Sequence, residues 1–197
     1  MSTTTAPPTD TPPTLADTPP TLERQDSLSL EQLRGGLQGF SERWLPRADE
    51  LHSFFGRWDQ AWNTHDLDLL GTLVTEDILC DDPAMFGQTV ESREEFLAFL
   101  EDLFRAFPDV RFQDTGELYL ALEGGGIALP WRMTGSFTGE LRTWSKNREA
   151  QPHTTQPTGK TFDLEGVDLY QFRDGLLSNY SIVYDLLGFS AQIGLMG

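Results

Sequence analysis

The hydrophobic period of this chain changes at Pro108. From Pro46 to Phe107 large apolar residues recur every three and four positions, and from Val110 to Tyr184 they alternate with polar ones. Period 3.6 describes a helix buried along one stripe, and period two describes a strand buried on one face. One chain carrying first one period and then the other is an α+β protein, with helices gathered against an antiparallel sheet. Its 197 residues and 38% hydrophobic content suffice for one core of ordinary size.

The helical half opens with "PRADELHSFFGRWDQAWNTHD", where Leu51, Phe54, Phe55, Trp58 and Trp62 form one broad apolar face. Pro46 suits a first turn because its missing N–H has no helical partner there. Asp66 reads as the N-cap of a short helix through Leu70. Ser92, with Glu95 three residues on, reads as the capping box of "SREEFLAFLEDLFRAF". Phe96, Phe99, Leu100, Leu103 and Phe107 are its expected buried stripe.

A short strand ending in "ILCDDPAMFG" separates these helices. After Pro108, "VRFQDTGELYLALEGGGIALPWRMTGSF" reads as two long strands around Gly124 to Gly126, with a bulge or sheet edge expected at Pro130, which has no N–H to give a ladder. "EGVDLYQFRDGLLSNYSIVYD" supplies two more strands, joined at Asp174-Gly175. Asp185 then sits where the N-cap of a last short helix belongs. The expected architecture is a curved antiparallel sheet forming a cone closed by the N-terminal helices.

Residues 1–26 repeat "DTPPTL" and are rich in Thr and Pro, a composition expected to stay disordered because it cannot bury enough apolar surface to offset its ordering. Residues 27–45 form an extension that reads as a short helix to about Arg34, interrupted at Gly35-Gly36. The folded domain is expected over 46–197.

A net charge of −17 with only 14 Lys and Arg excludes a nucleic-acid or anionic-membrane surface, since either needs a basic patch. Cys80 is the only cysteine, and His52, His65 and His153 have no metal-ligand spacing, so neither a disulfide nor a metal is expected. No run of eighteen apolar residues is present and the first basic residue is Arg24, so a cytoplasmic location is expected. "TGK" before Thr161 lacks the upstream glycine of a phosphate loop, Thr154 standing there, and no Gly-x-Ser-x-Gly elbow occurs.

Read in order, "WNTHDLDLL", "EDILCDDPAMFG", "FRAFPDVRF", "MTGSFTG", "PTGKTF" and "GVDLYQFRDGLL" resemble the SnoaL-like branch of the nuclear-transport-factor-2-like superfamily, best known for polyketide cyclases. The resemblance covers roughly residues 48 to 196. It implies a cone of bent strands around a largely apolar pocket, often in a homodimer, and chemistry on flat polycyclic molecules without metal or organic cofactor. It also implies a departure: the strand position that carries the family's acid/base aspartate is Ile182. The position that often holds a pocket-facing histidine is Asp168, and the polar position before the proline of the first strand is Asp82.

Alternation tests Asp168 independently, because Asp168, Tyr170 and Phe172 share one face, opposite Tyr180, Ile182 and Tyr184. A carboxylate among such neighbours has its pKa raised by desolvation, as a base working near neutrality requires. The other reading is a polar residue satisfied by a tyrosine or a backbone donor. Asp81 and Asp82 precede Pro83, whose ring holds the preceding backbone extended, so one of the two should point inward. For Asp82 a site role competes with turn formation, while His65 reads as turn chemistry and Asp185 as a cap.

The polar segment from Gly139 to Gln156 is long for a connection between strands and is expected to fold over the cone's mouth with Trp144 against a ligand. The expected activity is cofactor-independent cyclisation or isomerisation of a polyketide-like or polycyclic hydrophobic small molecule. Asp168 and Asp82 are the catalytic candidates, with Tyr170, Tyr180, Ile182, Tyr184, Trp131, Phe86, Trp62 and Trp144 binding substrate. A binding protein that has lost catalysis, or a cofactor-free hydroxylase or epoxide hydrolase, are the alternatives.

Overall fold

A computed structural model describes residues 47–85, 88–121, 125–143 and 153–196. The Thr/Pro-rich tail, the extension over 27–45 and Pro46 lie outside the described residues. Helix α1 (Ala48–Thr64) buries Phe54, Trp58, Ala61 and Trp62, as the three-and-four spacing requires. It stops at His65, whose left-handed backbone (φ 55°) closes the cap, and Asp66 then caps α2 (Leu67–Gly71) by accepting from Leu69 N–H at 2.9 Å.

Strand β1 (Val74–Asp81) leads through a 3-10 turn (Pro83–Met85) to the two-residue β2 (Thr89–Val90). Helix α3 (Arg93–Ala106) starts at Ser92, whose hydroxyl accepts from Glu95 N–H at 3.3 Å. Glu95 reaches back to the N–H of Glu91, one residue outside the cap.

The sheet is curved and unclosed, in the order β2-β1-β9-β8-β5-β3 with β4 also on β5. Its strands are β3 (Arg111–Asp114), β4 (Tyr119–Leu120), β5 (Gly126–Ser136), β8 (Thr161–Arg173) and β9 (Leu176–Tyr184), besides β1 and β2. Neighbours are antiparallel except β1 and β9, which run parallel. Asp174 and Gly175 (φ 54° and 80°) make the β8–β9 turn, where glycine tolerates the second positive φ without strain.

Of the bulge or sheet edge expected at Pro130 the structure shows a local edge, and of the two long strands expected there only the second is continuous. Strand β5 pairs with β8 without interruption through Pro130↔Val167, so β5 carries no bulge there. The break falls on the other side, between Asp114↔Trp131 and Tyr119↔Ala128. Pro130 O accepts from Thr115 N–H at 3.1 Å, so its N atom, which has no hydrogen to donate, also faces this partner. The partner strand is accordingly split into β3 and β4.

The segment from Gly139 to Gln156 is also not one plain loop. Its described ends pair as a small hairpin, β6 (Leu141–Thr143) with β7 (His153–Thr155), beside α3, while Trp144 lies outside the described residues. Helix α4 (Leu186–Gln192) is capped by Asp185, which accepts from Gly188 N–H at 2.9 Å.

Aromatic rings from α1 fill one end of the concave face: Phe54 lies against Phe172, Phe55 against Tyr170, and Trp58 against both Tyr170 and Tyr180. At the other end α4 brings Phe189 onto Phe107, Phe162 and Tyr184. Between them the Trp131 indole lies across the face of Gly166, its register partner on β8, where an added Cβ would overlap the ring. Gly166→Ala should therefore lower unfolding stability by about 1–3 kcal/mol through overpacking. Gly56→Ala, on the exposed side of α1 with open space around a Cβ, should raise it by about 0.5–1 kcal/mol. Urea unfolding of the two variants reads both signs, and equal effects would refute the close fit at Gly166.

Candidate functional site

Strand β8 buries its even-numbered residues, which places Asp168 on the concave face, opposite Leu129 of β5 and Ile182 of β9. Neither partner can bond a carboxylate, but residues one pleat away can. Trp131 Nε1 donates to Asp168 Oδ1 at 2.6 Å, and the hydroxyls of Tyr170 and Tyr180 donate to Oδ2 at 3.0 and 2.6 Å. Only 3% of Asp168 is exposed. Burial pushes its pKa up to about 7 against the three donors, which hold it down, and the nearby charge of Asp82 adds to the rise.

Asp81 and Asp82 diverge where the chain enters Pro83. Asp81 points outward and accepts from the Thr89 hydroxyl at 2.6 Å. Asp82 turns inward, and its Oδ1 accepts from Ala84 N–H at 2.7 Å and from the Tyr184 hydroxyl at 2.9 Å. The first bond is an Asx turn, so the turn role and the inward position coexist in one side chain. No described residue donates to Oδ2. Burial raises the Asp82 carboxyl above its ordinary value, opposed by those two donors, and pushes the Tyr184 hydroxyl up as well.

A cavity of about 420 Å³ opens beside these groups, within the size range of small-molecule sites. Asp82, Trp131, Tyr180, Ile182 and Tyr184 form its sheet side. Trp62 of α1 and Phe99 and Leu103 of α3 face them from the helices. Phe99 and Leu103 belong to the expected stripe of α3 but are only half-buried, because the cavity lies where a core would otherwise close over them. Charged groups gather at its solvent edge: Arg105 pairs with Glu101 and Asp102, and Arg142 of β6 with Glu140.

The substrate-binding candidates therefore divide. Trp62, Trp131, Tyr180, Ile182 and Tyr184 line the cavity with Asp82, whereas Phe86 and Trp144 lie outside the described residues. Tyr170 does not line it, because Phe55 and Trp58 of α1 pack on its ring and fill that end of the concave face. Asp168 does not line it either. Two of its donors, Trp131 and Tyr180, do, so the carboxylate sits one residue behind the wall.

The sequence pattern did not reveal the cavity residues of α3 or the Tyr184–Asp82 bond, which joins positions 102 apart. Among the described residues no group of three His, Cys, Asp or Glu side chains could hold a metal ion, and no helix is long and apolar enough to cross a membrane.

The family model of the SnoaL-like polyketide cyclases matches residues 53–193. Among solved structures, TsrD from Streptomyces laurentii is 18% identical with a TM-score of 0.58, over 75% of this chain and 97% of that one. A candidate SnoaL-like polyketide cyclase from Jannaschia sp. CCS1 is 19% identical with a TM-score of 0.58, over 76% of this chain and 94% of that one. A Catenulispora acidiphila protein with a ketosteroid isomerase-like fold, in complex with trimethylamine, is 20% identical with a TM-score of 0.55, over 72% and 92% of the two chains. At such identities the likeness is one of fold. No curated protein matches the chain.

Asp168 should leave a mark on stability. Its carboxyl titrates at about 7 in the folded protein and at its ordinary 3.8 when unfolded, so between these pH values only the folded state holds the proton. The stability it contributes is complete below pH 3.8 and is lost as the pH rises through 7. Relative to Asp168→Asn, the wild type should lose up to about 1.4 kcal/mol per pH unit across that window. Urea unfolding at a series of pH values measures the difference, and parallel curves would show that Asp168 holds no proton there.

Proposed function

This chain belongs to the SnoaL-like polyketide cyclase family, and we propose that it is a cofactor-independent cyclase or isomerase acting by proton transfer on a polyketide-like or polycyclic hydrophobic molecule. The observation that carries this reading is Asp82: a buried carboxylate in the wall of an apolar cavity, with one oxygen engaged by two donors and the other without one among the described residues. Desolvation makes such a group a stronger base than an exposed aspartate.

In the proposed step Asp82 Oδ2 takes a proton from the carbon beside a substrate carbonyl, and the C–H electron pair moves to the carbonyl oxygen as an enolate. Protonation at another carbon by the same carboxyl completes an isomerisation. For cyclisation, the enolate carbon bonds to a second carbonyl carbon of the same molecule, and the new alkoxide takes the proton back. The Tyr184 hydroxyl, bonded to Oδ1, holds the carboxylate in place.

Asp168 has a positioning role in this reading rather than contact with substrate. It anchors the indole of Trp131 and the phenol of Tyr180, which form part of the cavity wall. A second reading, a ligand-binding protein without catalysis, draws support from Ile182, an apolar residue in the wall where the family resemblance places an acid/base aspartate.

Exchange of the α-protons of 2-tetralone in D₂O, followed by NMR, tests proton abstraction on a simple bicyclic ketone in place of the natural substrate. The wild type should accelerate exchange, and Asp82→Asn should lose about 10² to 10⁴ of that rate while remaining folded. Asp168→Asn should lose much less. Binding without acceleration would favour the second reading, and equal rates for wild type and Asp82→Asn would remove Asp82 from the mechanism.

A further inference from the structure

Large apolar side chains stay half-buried where the chain enters α1. Leu51 and Phe55 on the first turns of that helix, Leu120 of β4 and Phe172 of β8 all pack on the core from one side only. They surround one ring. Phe55 lies 5.3 Å from the centroid of Tyr170 and 6.3 Å from that of Phe172, and Leu120 pairs with Ile127, which pairs in turn with Tyr170. Beside them Leu118 and Tyr119 are 47% and 54% exposed, and β4 pairs only with β5, so its outer edge is unpartnered among the described residues. None of these side chains lines the cavity, so a ligand there does not account for them.

The residues that precede α1 carry the matching pattern. Leu30, Leu33, Leu37, Phe40 and Trp44 recur at spacings of three and four, with polar residues between them, whereas residues 1–26 show no such period. Gly35 and Gly36 fall off this stripe and weaken any helix built on it, so the segment needs a surface to hold it.

We propose that the apolar stripe of the N-terminal extension folds back onto Leu51, Phe55, Leu120 and Phe172 of the same chain and covers them. The residue before a proline is driven out of the helical region, so Leu45 stops the stripe from continuing into α1 as one rod. The chain turns at Pro46, and two helices joined by so short a connection lie antiparallel. The 15 residues from Leu30 to Trp44 would span about 22 Å as a helix, close to the length of α1, which has 17.

Charge selects this occupant over a second copy. Residues 27–45 hold two acidic and two basic side chains, so they meet the acidic first turn of α1, Asp49 and Glu50, without net repulsion. A second copy would bring its own charge of −17 to the same place. The tether also keeps the extension at high effective concentration beside its surface. Docked there, it braces the helix whose other end supplies Trp62 to the cavity wall.

The test uses the full chain with p-benzoylphenylalanine in place of Phe40, irradiated as an equal mixture of ¹⁵N-labelled and unlabelled protein and read by mass spectrometry. Cross-links should fall within one chain, on residues 51–55, 118–121 or 172–176. Links between labelled and unlabelled chains, links to other parts of the domain, or none at all would overturn the proposal. In the full-length Phe40→Asp variant, amide exchange over residues 118–121 and 172–176 should be about tenfold faster than in the wild type, because a covered segment opens less often. Unchanged exchange there would also overturn it.

Discussion

Three ring donors on three adjacent strands meet on one carboxylate: Trp131 of β5, Tyr170 of β8 and Tyr180 of β9 all bond Asp168. Burying a carboxylate is costly unless its oxygens are satisfied, and each ring also buries a large apolar surface only if its polar tip finds a partner. One group solves both problems, and it thereby fixes the rotamers of three of the largest side chains on the concave face. Gly166 belongs to the same solution, because the Trp131 indole reaches the carboxylate by lying across a residue with no side chain. The side of the cavity that the sheet supplies takes its shape from this cluster.

The concave face is consequently divided. Toward α1 the space is closed by Phe54, Phe55 and Trp58, and Tyr170 disappears beneath them. Toward α3 and β6 the space stays open and forms the cavity. The two carboxylates fall on different sides of that division. Asp168 is enclosed and fully bonded, which suits a structural anchor, whereas Asp82 keeps one oxygen without a donor among the described residues, beside the open space. Their surroundings differ more than their chemistry does, and surroundings decide which carboxylate can meet a ligand.

Much of this was legible in the sequence wherever a pattern is local. The stripe of α1, the caps at Asp66, Ser92 and Asp185, the Asp174-Gly175 turn and the shared face of Asp168 and Tyr170 all follow from spacings of a few residues. Pro130 was legible as a disturbance of the sheet but not as to its side, since that depends on which neighbour its N atom faces. The site was less legible because its bonds are long-range. Trp131 and Asp168 are 37 positions apart and Tyr184 and Asp82 are 102 apart. Nor does alternation distinguish a residue facing packed rings from one facing a void, so Tyr170 and Tyr180 look alike in the sequence. The half-buried pair Phe99 and Leu103 looks like core for the same reason: a helix stripe has the same spacing whether it covers a core or a hollow.

Burial and neighbouring donors hold Asp168 and Asp82 in two distinct desolvated environments on one side of the sheet. Site-resolved ¹³C NMR titration of the aspartate side-chain carboxyls tests it most directly. Asp168 should titrate near 7 and Asp82 above its ordinary 3.8, with the rise at Asp82 persisting in Asp168→Asn. Finding both carboxyls at or below their ordinary value would contradict this, because burial could then not outweigh the neighbouring donors at either group.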